Sequence, residues 1–448
     1  MRWLADVLYL LGGLVYLPVA VYQALVHGKN RKGWGERFGG VPRFAPHRQR
    51  IWIHAVSLGE TNATPRLVEA LRERLPHGDI VFSSTTDTGY ARAVRLYGTE
   101  GVFRFPLDFS LVIARVLDRV QPALVVLVEQ EVWYNLTRMA TRRGVPVAVV
   151  NGRLTDRSAR RLRRLGPAGR AMFGDLAWVG AQDATIADRF RLVGVPAERI
   201  EVTSSMKWDT AELADQVAGS AALAAALGLA GSNPIWVCGS TGVGEEALLL
   251  EAYRRLRADW GGLARNVPGS GRGIPASMRP VLVIVPRKPE RFDEVARLIE
   301  GAGLRCVRRS ARPDGVRGDP VTAETVVLGD TMGELRKFYA LADAVFVGRS
   351  LVPMGGSDPM EVAALGKPVL VGPYTDNFEL PVTALSAGGG LAVVPDAGAL
   401  AAAVGRLLMD PAQAATVGTR ARRVVEAQQG ATARTAEKLV ELLDRRPG

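Results

Sequence analysis

Two doubly wound α/β domains behind an apolar N-terminal helix are what this 448-residue sequence predicts. Three observations predict it. Short β-branched apolar runs alternate with amphipathic stretches in two separate series. A stretch rich in alanine and glycine, residues 213–234, divides the series, and an uncharged 20-residue run, residues 7–26, precedes both.

The first series has strands at 51–56, 80–84, 124–128 and 145–150, with helical spacing between them, as in Leu67, Val68, Leu71 and Leu75 or along 111–120. The second has strands at 235–238, 281–285, 326–328, 344–347, 369–371 and 391–394. The expected division is therefore an anchor over 1–28, a first domain over 29–213 and a second over 214–448. Segments 265–279 and 310–323, rich in Gly, Pro and Arg, read as surface loops of the second domain. In such folds ligands bind beyond the C-terminal ends of the strands, here expected in a cleft that the two domains face.

Composition excludes several classes. Hydrophobic residues at 48% and charged residues at 23% are those of a water-soluble enzyme, not of a disordered, collagen-like or polytopic membrane chain. Cys238 and Cys306 are too few for a disulfide framework, and four histidines without an HxxxH pair argue against a histidine metal centre. No metal or other cofactor is expected. The net charge of +12 is uneven: Lys29, Arg31, Lys32, Arg37, Arg43, Arg48 and Arg50 stand against Glu36 alone. Such a patch fits an anionic membrane or nucleic acid.

What precedes the patch decides between them. Residues 7–26 are about as long as a helix needs to cross the hydrocarbon core, and no small-residue cleavage site follows. Basic residues lie mainly on the C-terminal side, so the positive-inside rule places the rest of the chain in the cytoplasm, at the inner membrane. Gly12, Gly13 and Pro18 leave open a helix lying in the interface. Arginines 153, 157, 160, 161, 163 and 164 add a second basic face without interleaved aromatics for base stacking. Anionic lipid is the expected partner, and nucleic acid is not.

The strand ends carry the chemistry. In IWIHAVSLGE, Glu60 lies at the turn after the first strand, placed either as a general base for a hydroxyl or as a helix-start carboxylate set by the dipole. FSSTTDTGY and FPLDFS read as caps. In VEQEVWYN two carboxylates, Glu129 and Glu131, follow a wholly apolar strand, where a charge is unfavourable unless paired or functional. Spaced by two, they point to opposite sides or turn together into the cleft. In the second domain GSTGVGEE offers backbone N–H groups to an anion or makes a tight turn. VPRKPERF presents Arg287 and Lys288, and GDTMGEL opens a helix. FVGRSLVPMGGSDPMEVAALGKP passes a Gly355–Gly356 loop into a helix with Pro359 and Glu361 in its first turn, suited to a nucleotide phosphate and ribose hydroxyls.

In order along nearly the whole chain, WIHAVSLGE, FSSTTDTGY, PLDFS, EQEVWYN, NGRLTDRS, VGAQD, MKWD, GSTGVGEE, PRKPERF, GDTMGEL and GGSDPMEVAALGKPVLVGP resemble the Kdo transferases. These are GT-B glycosyltransferases that attach 3-deoxy-D-manno-oct-2-ulosonic acid (Kdo) to lipid A precursors. The resemblance implies inverting transfer from CMP-Kdo to a lipid A precursor hydroxyl, in lipopolysaccharide synthesis, with the acceptor on the first domain and CMP on the second. It makes Glu60 the general base and matches transition-state stabilisers to one of Glu129 and Glu131 and to Lys207. CMP contacts fall on Pro286 and Arg287, on Met332, Gly333 and Glu334, and on Asp358, Pro359, Met360 and Glu361. The chain departs from the family pattern at Lys288, Ser357, Asp358 and Val362, and EQEVWYN differs from the usual ETELWPN. Asp358 puts a carboxylate near the CMP phosphate, which Arg287 or Lys288 would have to compensate. Two alternatives follow: the same fold with another nucleotide-sugar donor, or a non-catalytic tethered protein that binds anionic lipid.

Overall fold

The computed structural model describes residues 2–27, 32–231, 233–265, 278–316 and 318–445. Lys29 and Arg31 of the basic patch and most of the 265–279 segment lie outside the described residues. Contacts divide the chain into one unit of Met1–Thr210 with Gln428–Gly448 and another of Ala211–Ala427.

The first unit is built on a seven-stranded sheet: β1 (Arg50–Ala55), β2 (Asp79–Ser84), β3 (Val102–Arg104), β4 (Leu124–Val128), β5 (Val147–Gly152), β6 (Trp178–Ala181) and β7 (Ile200–Val202). Their order is β3-β2-β1-β4-β5-β6-β7, and neighbouring strands are parallel. Ile53 of β1 pairs with Phe82 on one side and Val126 on the other. β1, β4 and β5 are buried along their full length, which is why they read as largely apolar runs, unbroken in β4.

The second unit repeats the plan with β8 (Ile235–Thr241), β9 (Val281–Pro286), β10 (Arg305–Arg308), β11 (Thr325–Leu328), β12 (Ala344–Val347), β13 (Val369–Val371) and β14 (Leu391–Val393), in the order β10-β11-β9-β8-β12-β13-β14. Its pairs are parallel too. Trp236, Tyr253, Trp260 and Phe346 are fully buried in its core. The segment expected as a surface loop at 310–323 is largely exposed, and its start is tied to the chain just past β11: Ser310 donates from N (2.7 Å) and Oγ (2.5 Å) to the Asp330 carboxylate, and Arg308 donates to it at 2.6 Å.

The second domain, expected to run to residue 448, gives up its last stretch. The helix Ala431–Asp444 buries Ala436, Leu439 and Leu443 in the first unit's core, beside Leu67, Val68 and Leu71 of the helix Pro65–Arg74. Burying each such leucine contributes about 1.5–3 kcal/mol, so an amphipathic C-terminal helix settles wherever a matching stripe is open.

Residues Arg2–His27 do form one helix, but among the described residues no helix is long and apolar enough to cross a membrane. At its start Asp6 bonds to Ser110 and Asn135, and Tyr9 packs against Phe109. Gly12, Gly13 and Pro18 lie inside it.

Candidate active site

In each sheet the chain reverses direction across the sheet once, between β1 and β4 in the first and between β8 and β12 in the second. Loops diverge at such a point and leave a crevice. Every acidic group singled out in the first half follows β1 or β4.

Glu60 lies in the short helix Leu58–Asn62, whose cap is Ser57. The Ser57 hydroxyl accepts the Glu60 N–H at 3.3 Å and donates to Glu60 Oε1 at 2.8 Å, while Oε2 accepts the Val56 N–H at 2.7 Å. This is a capping box, so the dipole-placed carboxylate and the candidate base are one arrangement: the bonds that start the helix also aim the side chain. Burial raises the Glu60 pKa; the bonds from Val56 and Ser57 oppose it, and Glu129 adds repulsion.

Glu129 adopts a left-handed conformation, φ 65°, rare for a non-glycine residue, and its N–H donates to Val150 O at 2.9 Å. Glu131 is pushed up to about 7 by burial first, then by Glu60 and Glu129. The three carboxylates therefore share one electrostatic neighbourhood, and all three are half-buried. Lys207 stands on the loop after β7, half-buried; among the described residues no ion pair within 4 Å joins it to them. Its position is set by Asn151, left-handed at φ 52° at the end of β5, whose Oδ1 accepts the Ser205 hydroxyl (3.2 Å) and the Met206 N–H (3.1 Å).

A prediction on stability follows. The raised Glu131 pKa means that the fold favours the protonated acid. Its contribution is complete below the ordinary value of 4.5 and is lost as pH rises through about 7. Glu131→Gln is expected to raise the first unit's Tm by about 2–6 °C at pH 8 and by little at pH 4.5. Melts at the two pH values check it, and an equal shift at both would reject it.

Asp108, in the capping segment FPLDFS, holds the start of a second helix. It is 6% exposed and accepts the N–H groups of Asn135 and Leu136, both at 2.8 Å, at the start of the helix Tyr134–Arg142. Burial lifts its pKa to about 7. His54, in the same motif as Glu60, is not a site residue: it is fully buried, stacked 3.7 Å from Phe105 and held at about 3 by burial, hence neutral.

The basic helix Asp156–Arg163 presents Arg157, Arg160, Arg161 and Arg163 to solvent, with Arg164 just beyond. Arg160 alone of these pairs with a carboxylate on its own helix, Asp156 at 2.6 Å.

In the second unit the loops after β8 and β12 are tied together. Glu245, fully buried, accepts the N–H groups of Gly242 (2.9 Å), Ser350 (2.7 Å), Leu351 (2.9 Å) and Arg349. The GSTGVGEE turn expected to hold an anion thus already holds one, its own glutamate. Glu246, also fully buried, takes Arg291 through two bonds (2.6 and 3.0 Å) and the Thr241 hydroxyl at 2.7 Å.

The expected nucleotide contacts converge on the same edge with differing availability. Arg287, Met332, Gly333 and Glu361 are exposed, whereas Pro286, Pro359 and Met360 are buried. The Met360 N–H is taken by Asp358 Oδ1 at 2.8 Å, so the departure at Asp358 occupies the first N–H of the helix and competes with a phosphate there. Glu334 is locked: it accepts two bonds from Arg309 (2.9 and 3.0 Å), one from Thr331 (2.5 Å) and one from Lys337 (3.1 Å), which hold it at about 2. Lys288 faces Glu290 at 3.7 Å, both exposed, so it is no dedicated partner of Asp358. Gly355 and Gly356, at φ 81° and 80°, give the loop a bend that a side chain would oppose; a Cβ at Gly356 would come within 3.2 Å of the Thr375 backbone.

Two doubly wound units in one chain, one with clustered carboxylates and the other with glycine-rich loops at the crevice of its sheet, define a glycosyltransferase of GT-B type. The chain belongs to the 3-deoxy-D-manno-octulosonic acid transferase family. The family's N-terminal model, described as 3-deoxy-D-manno-octulosonic-acid transferase (kdotransferase), matches residues 32–210. The chain is 38% identical to the 3-deoxy-D-manno-octulosonic acid transferase of Bordetella pertussis, over 91% of each chain. It is 33% identical to that of Haemophilus influenzae, over 93% of this chain and 92% of the relative. The fold is similar to that of the UDP-GlcNAc 2-epimerase of Neisseria meningitidis, with a TM-score of 0.52 at 14% identity, over 88% of this chain and all of that one. The chain is thus a Kdo-transferring enzyme.

Proposed function

We propose that the chain transfers Kdo from CMP-Kdo to a hydroxyl of a lipid A precursor, with inversion, at the cytoplasmic face of the inner membrane. The observation that carries this reading is the carboxylate cluster at the first sheet's crevice. Glu60 is fixed by three hydrogen bonds and its basicity is raised by burial, as a base for a hydroxyl requires. Glu131, or Glu129, and Lys207 stabilise charge that develops on the sugar and the leaving phosphate. The second unit holds CMP through Arg287, Met332, Gly333 and Glu361 and through the loop at Gly355 and Gly356, with Pro286, Pro359 and Met360 shaping the floor. Asp358 and Glu334 act there as braces rather than as ligands, because their oxygens are engaged.

The acceptor is a lipid, and the N-terminal helix meets its surface. Val7, Leu8, Leu10, Leu11, Leu14, Val15 and Leu17 are each more than half exposed, an apolar face that an interfacial helix would sink into headgroups. The arginines of the helix Asp156–Arg163 add attraction to anionic lipid.

The test incubates purified full-length chain with CMP-Kdo and a tetraacylated lipid A precursor in anionic vesicles, read by mass spectrometry. A product heavier by one Kdo or more is expected. Its absence in active-folded protein would reject the reading. Because Asp358 places a carboxylate where a phosphate would bind, competition by CMP, UDP and GDP is part of the test. Inhibition by UDP or GDP in preference to CMP would point to another donor.

A further inference from the structure

The N-terminal helix is attached to the first unit by a set of polar bonds that a simple lipid tether does not need. Asp6 Oδ1 accepts the Ser110 N–H at 2.8 Å and the Asn135 side-chain amide at 3.0 Å, and Oδ2 accepts the Ser110 hydroxyl at 2.5 Å. The same Asn135 amide donates to the Asp108 carbonyl at 2.5 Å. The Tyr9 ring stands edge-on to Phe109 at 6.3 Å, with its hydroxyl in the electrostatic surroundings of the Asp108 carboxylate. Ser110, Asn135 and Asp108 are 3%, 1% and 6% exposed, so this seam is buried, whereas the helix beyond it turns its leucines and valines outward.

The seam lies beside the reacting carboxylates along the chain. The segment from Glu129 to Trp133 is held at its start by the Glu129 N–H on Val150 O. At its far end it runs into Asn135 and Leu136, whose N–H groups rest on Asp108. Glu131 therefore hangs between two fixed points, and the second is shared with Asp6 and Tyr9. A shift of the N-terminal helix has a short, fully bonded path to Glu131 and, through its field, to Glu60.

We infer that Asp6 is a positioning residue: it keys the N-terminal helix to the loop and helix start that aim Glu131, so that lipid-facing helix and carboxylate cluster are set as one body. This rests on the role proposed above for the cluster. A bilayer engaging the helix then presents its acceptor to an already aligned site, and chemistry as well as membrane binding depends on the first two turns.

The experiment uses the full chain and two acceptor formats, the lipid A precursor in phosphatidylethanolamine–phosphatidylglycerol vesicles and its deacylated, water-soluble disaccharide. Asp6→Asn and Tyr9→Phe are compared with Val15→Asp, which alters the exposed face away from the seam. Asp6→Asn is expected to lower kcat about tenfold in both formats, with KM for CMP-Kdo and vesicle cosedimentation unchanged. Tyr9→Phe should move in the same direction and Asp6→Glu should recover part of the loss. Val15→Asp should lose vesicle binding yet keep kcat on the soluble acceptor. An unchanged kcat for Asp6→Asn on the soluble acceptor would overturn the inference, as would a loss confined to vesicles, which would make the helix a tether only. If the wild-type chain itself makes no product, it is the proposed function that fails.

Discussion

Glu60→Gln is expected to lower kcat by a factor of about 10²–10⁴, the range in which a positioned general base contributes, while KM for CMP-Kdo and the fold stay as they are. The substitution is conservative for structure. Glutamine retains an oxygen for the Val56 N–H, and its amide nitrogen can donate to the Ser57 hydroxyl that now donates to Glu60. What it lacks is a lone pair basic enough to take a proton from the acceptor. The pH dependence gives a second, independent readout. The base works when deprotonated, so activity should rise with pH across a limb displaced above the ordinary carboxylate value, because burial raises Glu60 and burial with Glu60 raises Glu131 to about 7. The limb belongs to the coupled pair rather than to one residue. Glu131→Gln removes one of the like charges, so the remaining limb should move to lower pH. A Glu60→Gln enzyme within tenfold of wild type would remove the base from the mechanism, as would a limb indifferent to Glu131.

Much of this arrangement is legible in the sequence, and where it is not the reason is physical. β4, β12 and β13 read correctly because buried central strands of parallel sheets are continuous apolar runs, such as Leu124–Val128, buried at every position. β3, β6, β7 and β10 do not: Val102–Arg104 and Ile200–Val202 have three residues each, Arg305–Arg308 has arginine at both ends, and Trp178–Ala181 is a four-residue run with a glycine in it. β3, β7 and β10 are edge strands, which need an apolar pattern on fewer positions, whereas β6 is interior and is missed because it is short. Glu60 is visible because S-x-x-E after a strand is itself a helix-start signature. The left-handed turn at Glu129, φ 65°, is not visible, since its N–H is held by Val150 of the neighbouring strand. The partners of Asp6 lie more than 100 residues away in sequence, at Ser110 and Asn135, so local pattern marks the helix but not the seam. The closing helix Ala431–Asp444 is likewise amphipathic on sight, yet nothing in its own residues says which unit carries the stripe it fills.

The glutamates of GSTGVGEE carry the other large effect, this time on stability. Glu246 and Arg291 form a bidentate pair in which the acid is fully buried and the base 6% exposed. Glu246→Ala leaves a guanidinium with one remaining acidic partner, Glu294, and is expected to destabilise the second unit by about 3–5 kcal/mol. Replacing the pair together, Glu246→Met with Arg291→Leu, removes the buried charge along with its partner and should restore most of that loss. Glu245 is different in kind, because its two oxygens accept four backbone N–H groups from the loops after β8 and β12. In Glu245→Gln the carboxamide nitrogen must face one pair of those donors, which releases either Gly242 and Arg349 or Ser350 and Leu351. The loop leading to Gly355 and Gly356 then loses its anchor, and CMP affinity should fall at least tenfold with a smaller loss of stability than in Glu246→Ala. Calorimetric melts together with CMP titration separate the two effects. If Glu245→Gln binds CMP as wild type does, the tie between these loops has no part in nucleotide binding, and the second unit's glycine-rich turns act on the ligand independently of one another.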